Sequence, residues 1–161
     1  MVKADPNGAA EAAVGFLRGT DEELQLEGLR FLETAPYGAR IGRALVGALG
    51  AGSSAVRVRA LAILARQRES RAFDPLVERV KRGSTGELTV AEARAAGEAL
   101  ASVDPARARP LFKEWARPSG LLGRLAPGQT ILRWAAVSGL AHLPGRDSED
   151  LLEWLSHHTA D

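Results

Sequence analysis

The sequence predicts an all-α fold, a short right-handed α-solenoid of about four antiparallel helix pairs preceded by a short N-terminal helix. Three observations predict it. A leucine recurs at Leu32, Leu64, Leu100 and Leu140, each with a small residue four positions earlier: Gly28, Ala60, Ala96 and Ala136. A second apolar column follows at Leu45, Leu76, Leu111 and Leu151. It has apolar neighbours at Val46, Val77, Phe112 and Leu152, and again four residues on at Leu49, Val80, Trp115 and Leu155. The composition, 45% hydrophobic but only 5% aromatic, favours helices drawn together through small side chains over a sheet core. Stacked helix pairs, each burying its apolar face on the next, account for all three, and 161 residues fit one domain spanning 1–161.

The elements follow in order, each pair having a first (A) and a second (B) helix. A leading helix is expected from about Ala9 to Arg18, then pairs near 21–34 with 38–49, 54–67 with 73–82, 89–102 with 106–116, and 129–142 with 148–158. The repeats thus run over 21–50, 54–82, 89–117 and 129–158. Thr20 with Glu23 and Thr89 with Glu92 have capping-box spacing, in which side chains satisfy the free backbone donors of a first turn. Ser53 or Ser54 is placed to cap the next A helix, and Asp104-Pro105 and Asp147-Ser148 precede the last two B helices. Pro75 suits a first helical turn, whereas Pro110 is expected to delay or bend its helix, since proline lacks the donor and crowds the preceding turn. The leucine column lengthens its step toward the C-terminus, and the segments Gly83 to Leu88 and Pro118 to Gly128 absorb the difference. The second of these carries Leu121, Leu122 and Leu125, which are expected to pack on adjoining repeats.

The stretch SSAVRVRALAILARQRESRAFDPLVERVKRG, through Val56, Arg57, Ala60, Leu61, Leu64, Pro75, Leu76 and Val80, resembles HEAT-like repeats, in which a Val-Arg start on the A helix precedes a B helix introduced by Pro-Leu. The likeness continues in VAEARAAGEALASVDPARARPLFKEW and weakens toward both ends, covering roughly residues 21–158. It implies that Arg57 and Arg133 are scaffold arginines linking neighbouring repeats, and that the B helices form the concave surface.

Chemistry is sparse. With no cysteine, disulfides, Cys-ligated zinc and a Cys nucleophile are excluded. The three histidines, His142, His157 and His158, lack the i, i+4 spacing of a helical metal pair. The segment Gly50-Ala51-Gly52-Ser53-Ser54-Ala55 fits the dinucleotide-binding turn formally, but its preceding residues fill the apolar columns of a helix. No HExxH, Walker or G-x-S-x-G motif occurs. No catalytic, metal or cofactor residue is therefore expected. The N-terminus fits neither a secretory signal nor a membrane span, which makes a cytoplasmic location the expectation.

Charge leaves two readings, an ordinary solvated helix face and a surface that steers an acidic partner. The chain carries +1 overall, but residues 57–82 hold eight basic side chains against three acidic ones. Opposite the B-helix core positions lie Arg43; Asp74, Glu78 and Arg82; Arg109, Lys113 and Arg117; Glu149, Glu153 and His157. In the second reading Arg82, Arg109, Lys113 and Arg117, with Arg79 at the margin, are the residues expected to meet an acidic segment of a protein partner, with Trp154 or the Leu121 and Leu122 loop as an apolar anchor. The competing reading is phosphate-backbone binding to nucleic acid through the same arginines, including a role like that of the HEAT-like alkylpurine DNA glycosylases, which the architecture resembles broadly. Trp115 and Trp134 are expected in the core. An apolar face left open at either end of such a stack would drive self-association.

Overall fold

In the computed structural model, which describes residues 6–36, 38–83, 86–117 and 127–158, the described residues are helical throughout, joined by short turns. The helices are α1 (Pro6–Phe16), α2 (Glu22–Thr34), α3 (Ala39–Ala48), α4 (Ser54–Gln67), α5 (Phe73–Gly83), α6 (Val90–Val103), α7 (Pro105–Ala116), α8 (Pro127–His142) and α9 (Arg146–His158). A 3₁₀ turn, Ser70–Ala72, leads into α5. None of the described helices is long and apolar enough to cross a membrane.

Local chemistry explains most boundaries. The Thr89 hydroxyl accepts from the Glu92 backbone N–H at 3.2 Å while the Glu92 carboxylate accepts from the Thr89 N–H at 3.0 Å, which closes the expected capping box on α6. Ser53 accepts from Val56 N–H at the head of α4, and Asp104 accepts from Arg107 N–H at the head of α7. At α2 the cap is Asp21 and not Thr20: its Oδ1 accepts from Leu24 N–H at 3.0 Å, the nearer carboxylate replacing the hydroxyl. The α9 start also differs, since the helix begins at Arg146. Gly145, at φ +122°, turns the chain, and its carbonyl accepts from Ser148 and Glu149 N–H groups. Pro110 neither delays nor breaks α7, which runs through it without interruption.

The leucine column is the floor of the core. Leu32, Leu64 and Leu100 are fully buried and Leu140 nearly so, as are Ala60, Ala96 and Ala136. Consecutive A helices touch along their backbones, α2 with α4, α4 with α6 and α6 with α8. How tightly is shown by Gly97, where an added Cβ would stand 2.0 Å from the Ala135 carbonyl oxygen of α8. Each B helix then packs on the next A helix: α3 on α4, α5 on α6, α7 on α8. The leading helix behaves the same way, α1 packing on α2. In the B column Leu45 and Leu76 are fully buried, but in α7 the buried centre is Phe112 and Leu111 is only partly covered. The register there is one residue later than the Pro-Leu alignment predicts, because the larger ring fills the space left by Gly139 of α8, whose missing Cβ would lie 2.2 Å from Phe112. Ala108, Trp115 and Ala116 complete that buried face.

One buried ion pair joins α4 to α6. Arg57 of α4 donates from Nε to the Glu92 carboxylate of α6, with side-chain exposures of 11% and 0%. Its Nη1 also donates to the carbonyls of Ala51 and, at 2.8 Å, Gly52, which fastens the turn before α4. Gln25, seven residues before Leu32 as Arg57 is before Leu64, donates to the Gly19 carbonyl at 2.7 Å, fastening the turn before α2. Burial raises the pKa of Glu92, but hydrogen bonds from Arg57 and from the backbone and hydroxyl of Thr89 outweigh it and hold the group below its ordinary value.

Two outcomes follow for stability. Gly97→Ala, forced against a backbone carbonyl, is expected to cost about 3 kcal/mol or more, whereas Gly47→Ala, with open space around its Cβ, gains about 0.5–1 kcal/mol; paired thermal and urea melts measure both. Glu92→Gln leaves the covered, still charged Arg57 guanidinium without its counter-charge and is expected to lose about 3 kcal/mol at neutral pH. The depressed folded-state pKa makes this stabilisation complete above the unfolded value of about 4.3 and lost as pH falls through the folded value. The gap between wild type and variant therefore closes in acid melts below that value.

Candidate functional site

Tight stacking of the A helices leaves space between the B helices, and two grooves open there on either side of α3. The first lies between α1 and α3, holds about 1290 Å³ and is bounded by the turns before α2 and α4. Arg18, Arg40, Arg43 and Glu22 supply its charges, and Val14, Leu17, Ala44 and Ala48 its apolar lining. Arg40 is paired with Glu11. The bounding turns are those fastened by Gln25 and Arg57, so the groove is built between held loops. The second, of about 240 Å³, lies between α3 and α5, where Val46, Leu49 and Pro75 meet Glu78, Arg79 and Arg82.

The sequence-predicted residues fall in different places. Arg79 and Arg82 line the second groove, Arg82 at the exposed end of α5. Arg79 is mostly covered, donating to Glu87 at 3.3 Å, and its buried Nε has no hydrogen-bond partner. Arg109 is part of the fold: it donates to the Ser148 hydroxyl and the Pro144 carbonyl, each at 2.9 Å, and so joins α7 to the start of α9. Ser148 is 1% exposed and serves this contact in place of a cap. Lys113 is half-buried, and Arg117 is exposed just past α7. With Phe112 at the buried centre, the outward side of α7 carries Arg107, Pro110 and Glu114. Arg107 lies over the Phe73 ring at 4.1 Å and pairs with Asp74 of α5. The expected basic ridge from α5 to α7 is thus interrupted by ion pairing and by Glu114.

Trp115 is buried at 4% exposure against Phe112, as its column predicts. Trp134 is not in the core. It is 42% exposed, with the Arg94 guanidinium 5.9 Å from its ring centre. The Trp154 side chain and the Leu121, Leu122 and Leu125 segment lie outside the described residues. The G-x-G-x-x-A segment follows helix α3 and not a strand, so the setting of a dinucleotide turn is missing; Ser53 within it caps α4. His142 bonds through Nδ1 to the Ser138 carbonyl at 2.9 Å. Among the described residues no group of three or more His, Asp or Glu is arranged to hold a metal ion.

Sequence reasoning missed Arg18 and Arg40, because they come together only once α1 is seated beside α3 as though it were a B helix. Arg43 was legible as an outward B-helix position but carried no sign of its neighbours. Compared with known proteins, the chain matches no family model, no curated protein and no solved structure.

The different surroundings of two arginines give different expectations. Arg109→Ala is expected to cost about 1–2 kcal/mol and to speed amide exchange in the first turns of α9. Arg117→Ala should shift the melt by no more than about 0.5 kcal/mol.

Proposed function

We propose that this chain is a non-catalytic protein-interaction or scaffold module, built as a short right-handed HEAT-like α-solenoid of four helix pairs with a leading helix. It takes an acidic segment of a partner on its B-helix side. The observation that carries the reading is the pair of consecutive grooves flanking α3, each joining an apolar lining to arginines: Arg18, Arg40 and Arg43 on one side, Arg79 and Arg82 on the other. An acidic segment with an apolar side chain satisfies both features, the carboxylates meeting guanidinium groups and the apolar group filling the floor between helices. The fastened turns support it further, since a groove with held walls loses little conformational freedom on binding. Arg109 belongs to the scaffold in this reading, and the binding surface moves toward α3 from the third repeat.

The test is capture of partners from a nuclease-treated lysate of the source organism by wild type and by an Arg43→Glu, Arg82→Glu variant, followed by titration of the captured segment as a synthetic peptide. Both substituted side chains are exposed, so the variant is expected to melt as wild type does. The expected result is a protein retained by wild type and lost by the variant, with peptide affinity reduced about tenfold or more by two charge reversals. Binding that disappears with nuclease and falls steeply with salt would assign the surface to nucleic acid; equal capture by both proteins would remove the grooves from consideration.

A further inference from the structure

The two grooves beside α3 adjoin. Gly50, just past the end of that helix, lines both of them. The outward ridge of α3 runs along Arg40, Arg43, Gly47 and Gly50, residues spaced three or four apart on one face and all exposed. Its first half carries two guanidinium groups, and its second half carries no side chain. Nothing in the fold requires glycine at these two positions. Neither has a positive φ. A Cβ at Gly47 would meet nothing within 4 Å, and one at Gly50 would meet only the Gly47 carbonyl oxygen, at 3.4 Å. A saddle of bare backbone therefore leads from the first groove into the second.

We propose that the grooves and the saddle form one continuous site for an extended acidic peptide segment, whose main chain crosses α3 over Gly47 and Gly50. This rests on the acidic-segment function proposed above and adds the segment's conformation and the order of its side chains. Charge favours an acidic occupant at both ends. Arg18 and Arg43 of the first groove, whose lining acid is Glu22, are in no ion pair among the described residues. In the second groove Arg79 and Arg82 stand with Glu78, and the Arg79 Nε has no hydrogen-bond partner. Size separates the two ends. A space of about 240 Å³ suits one apolar side chain on Val46, Leu49 and Pro75, since a cavity of about 150 Å³ takes a benzene-sized group; about 1290 Å³ takes several residues. Shape selects the conformation. A helical segment, about 10 Å across with its side chains, fills a groove lengthwise but does not turn over the end of α3. An extended chain does, and where α3 lacks side chains the two backbones approach closely. Crossing one helix, about 10 Å, takes about three extended residues. The segment thus has an apolar residue flanked by acid at one end, a short crossing, and further acids at the other.

Fluorescence titration at low salt tests this with labelled synthetic peptides: Asp-Asp-Gly-Ala-Gly-Glu-Leu-Glu, the same sequence reversed, and each acidic end alone. The better of the two directions is expected to bind one per chain, about tenfold or more tighter than either end, because the second end attaches within the same complex. Gly47→Leu with Gly50→Leu places side chains on the saddle and is expected to weaken that peptide about tenfold or more, while the melt holds or rises. Ends that bind as tightly as the whole, or a whole peptide indifferent to the two leucines, would overturn the single site; if Arg43→Glu, Arg82→Glu still abolished binding, the acidic-segment function would stand without it. No peptide binding to wild type, or equal binding to the arginine variant, would overturn both.

Discussion

Everything in this fold depends on how closely the A helices approach. At Gly97 there is room for a hydrogen and nothing more beside the Ala135 carbonyl, and Ala60, Ala96 and Ala136 repeat the same economy along the row. Small side chains let backbones come together, and leucines then fill the layer between the A helices and the B helices. A row packed this closely sets the spacing of the whole molecule. The B helices are carried on its outer edge and do not close up on each other to the same degree, which is why the grooves open between them.

Polar groups are used where this packing would otherwise slip. Arg57 has two duties, holding the turn before its own helix and reaching a buried carboxylate on the next. Glu92 likewise completes a helix cap while it balances the arginine. A buried ion pair of this kind is a weak source of net stability but a strong penalty on misalignment, because either partner alone is stranded. Glu33 plays a milder version at the surface, where hydrogen bonds from Arg66 and Arg59 keep its pKa below the ordinary value and tie α2 to α4.

The fold was more legible than the site, for physical reasons. Columns such as Leu32 to Leu140 repeat because each helix pair must bury the same stripe, and caps such as Ser53, Thr89 and Asp104 are local chemistry that survives translation into three dimensions. The choice between Leu111 and Phe112 was not local: it was decided by a glycine in another helix, Gly139, twenty-seven residues after Phe112. Arg109 looked like a solvated cation from its spacing, and only the turn at Gly145 brings Ser148 and Pro144 under it. The grooves depend on where α1 sits, and no residue in α1 announces that. The sites that eluded sequence reasoning are those made by two elements at once.

The fit of Phe112 into Gly139 bears on which parts of this chain can stand in for one another. In a stack of truly equivalent units, one repeat stands in for another, and the array lengthens or shortens by duplication and loss. Here α8 has a hollow that takes the Phe112 ring of α7, and α6 a carboxylate set for the arginine of α4. Each of these helices fits one particular neighbour, so they are not interchangeable parts. Separating α7 from α8 by any inserted helices would strand the Phe112 ring on one side and leave a void at Gly139 on the other. The order of these helices is fixed like that of a single-domain core.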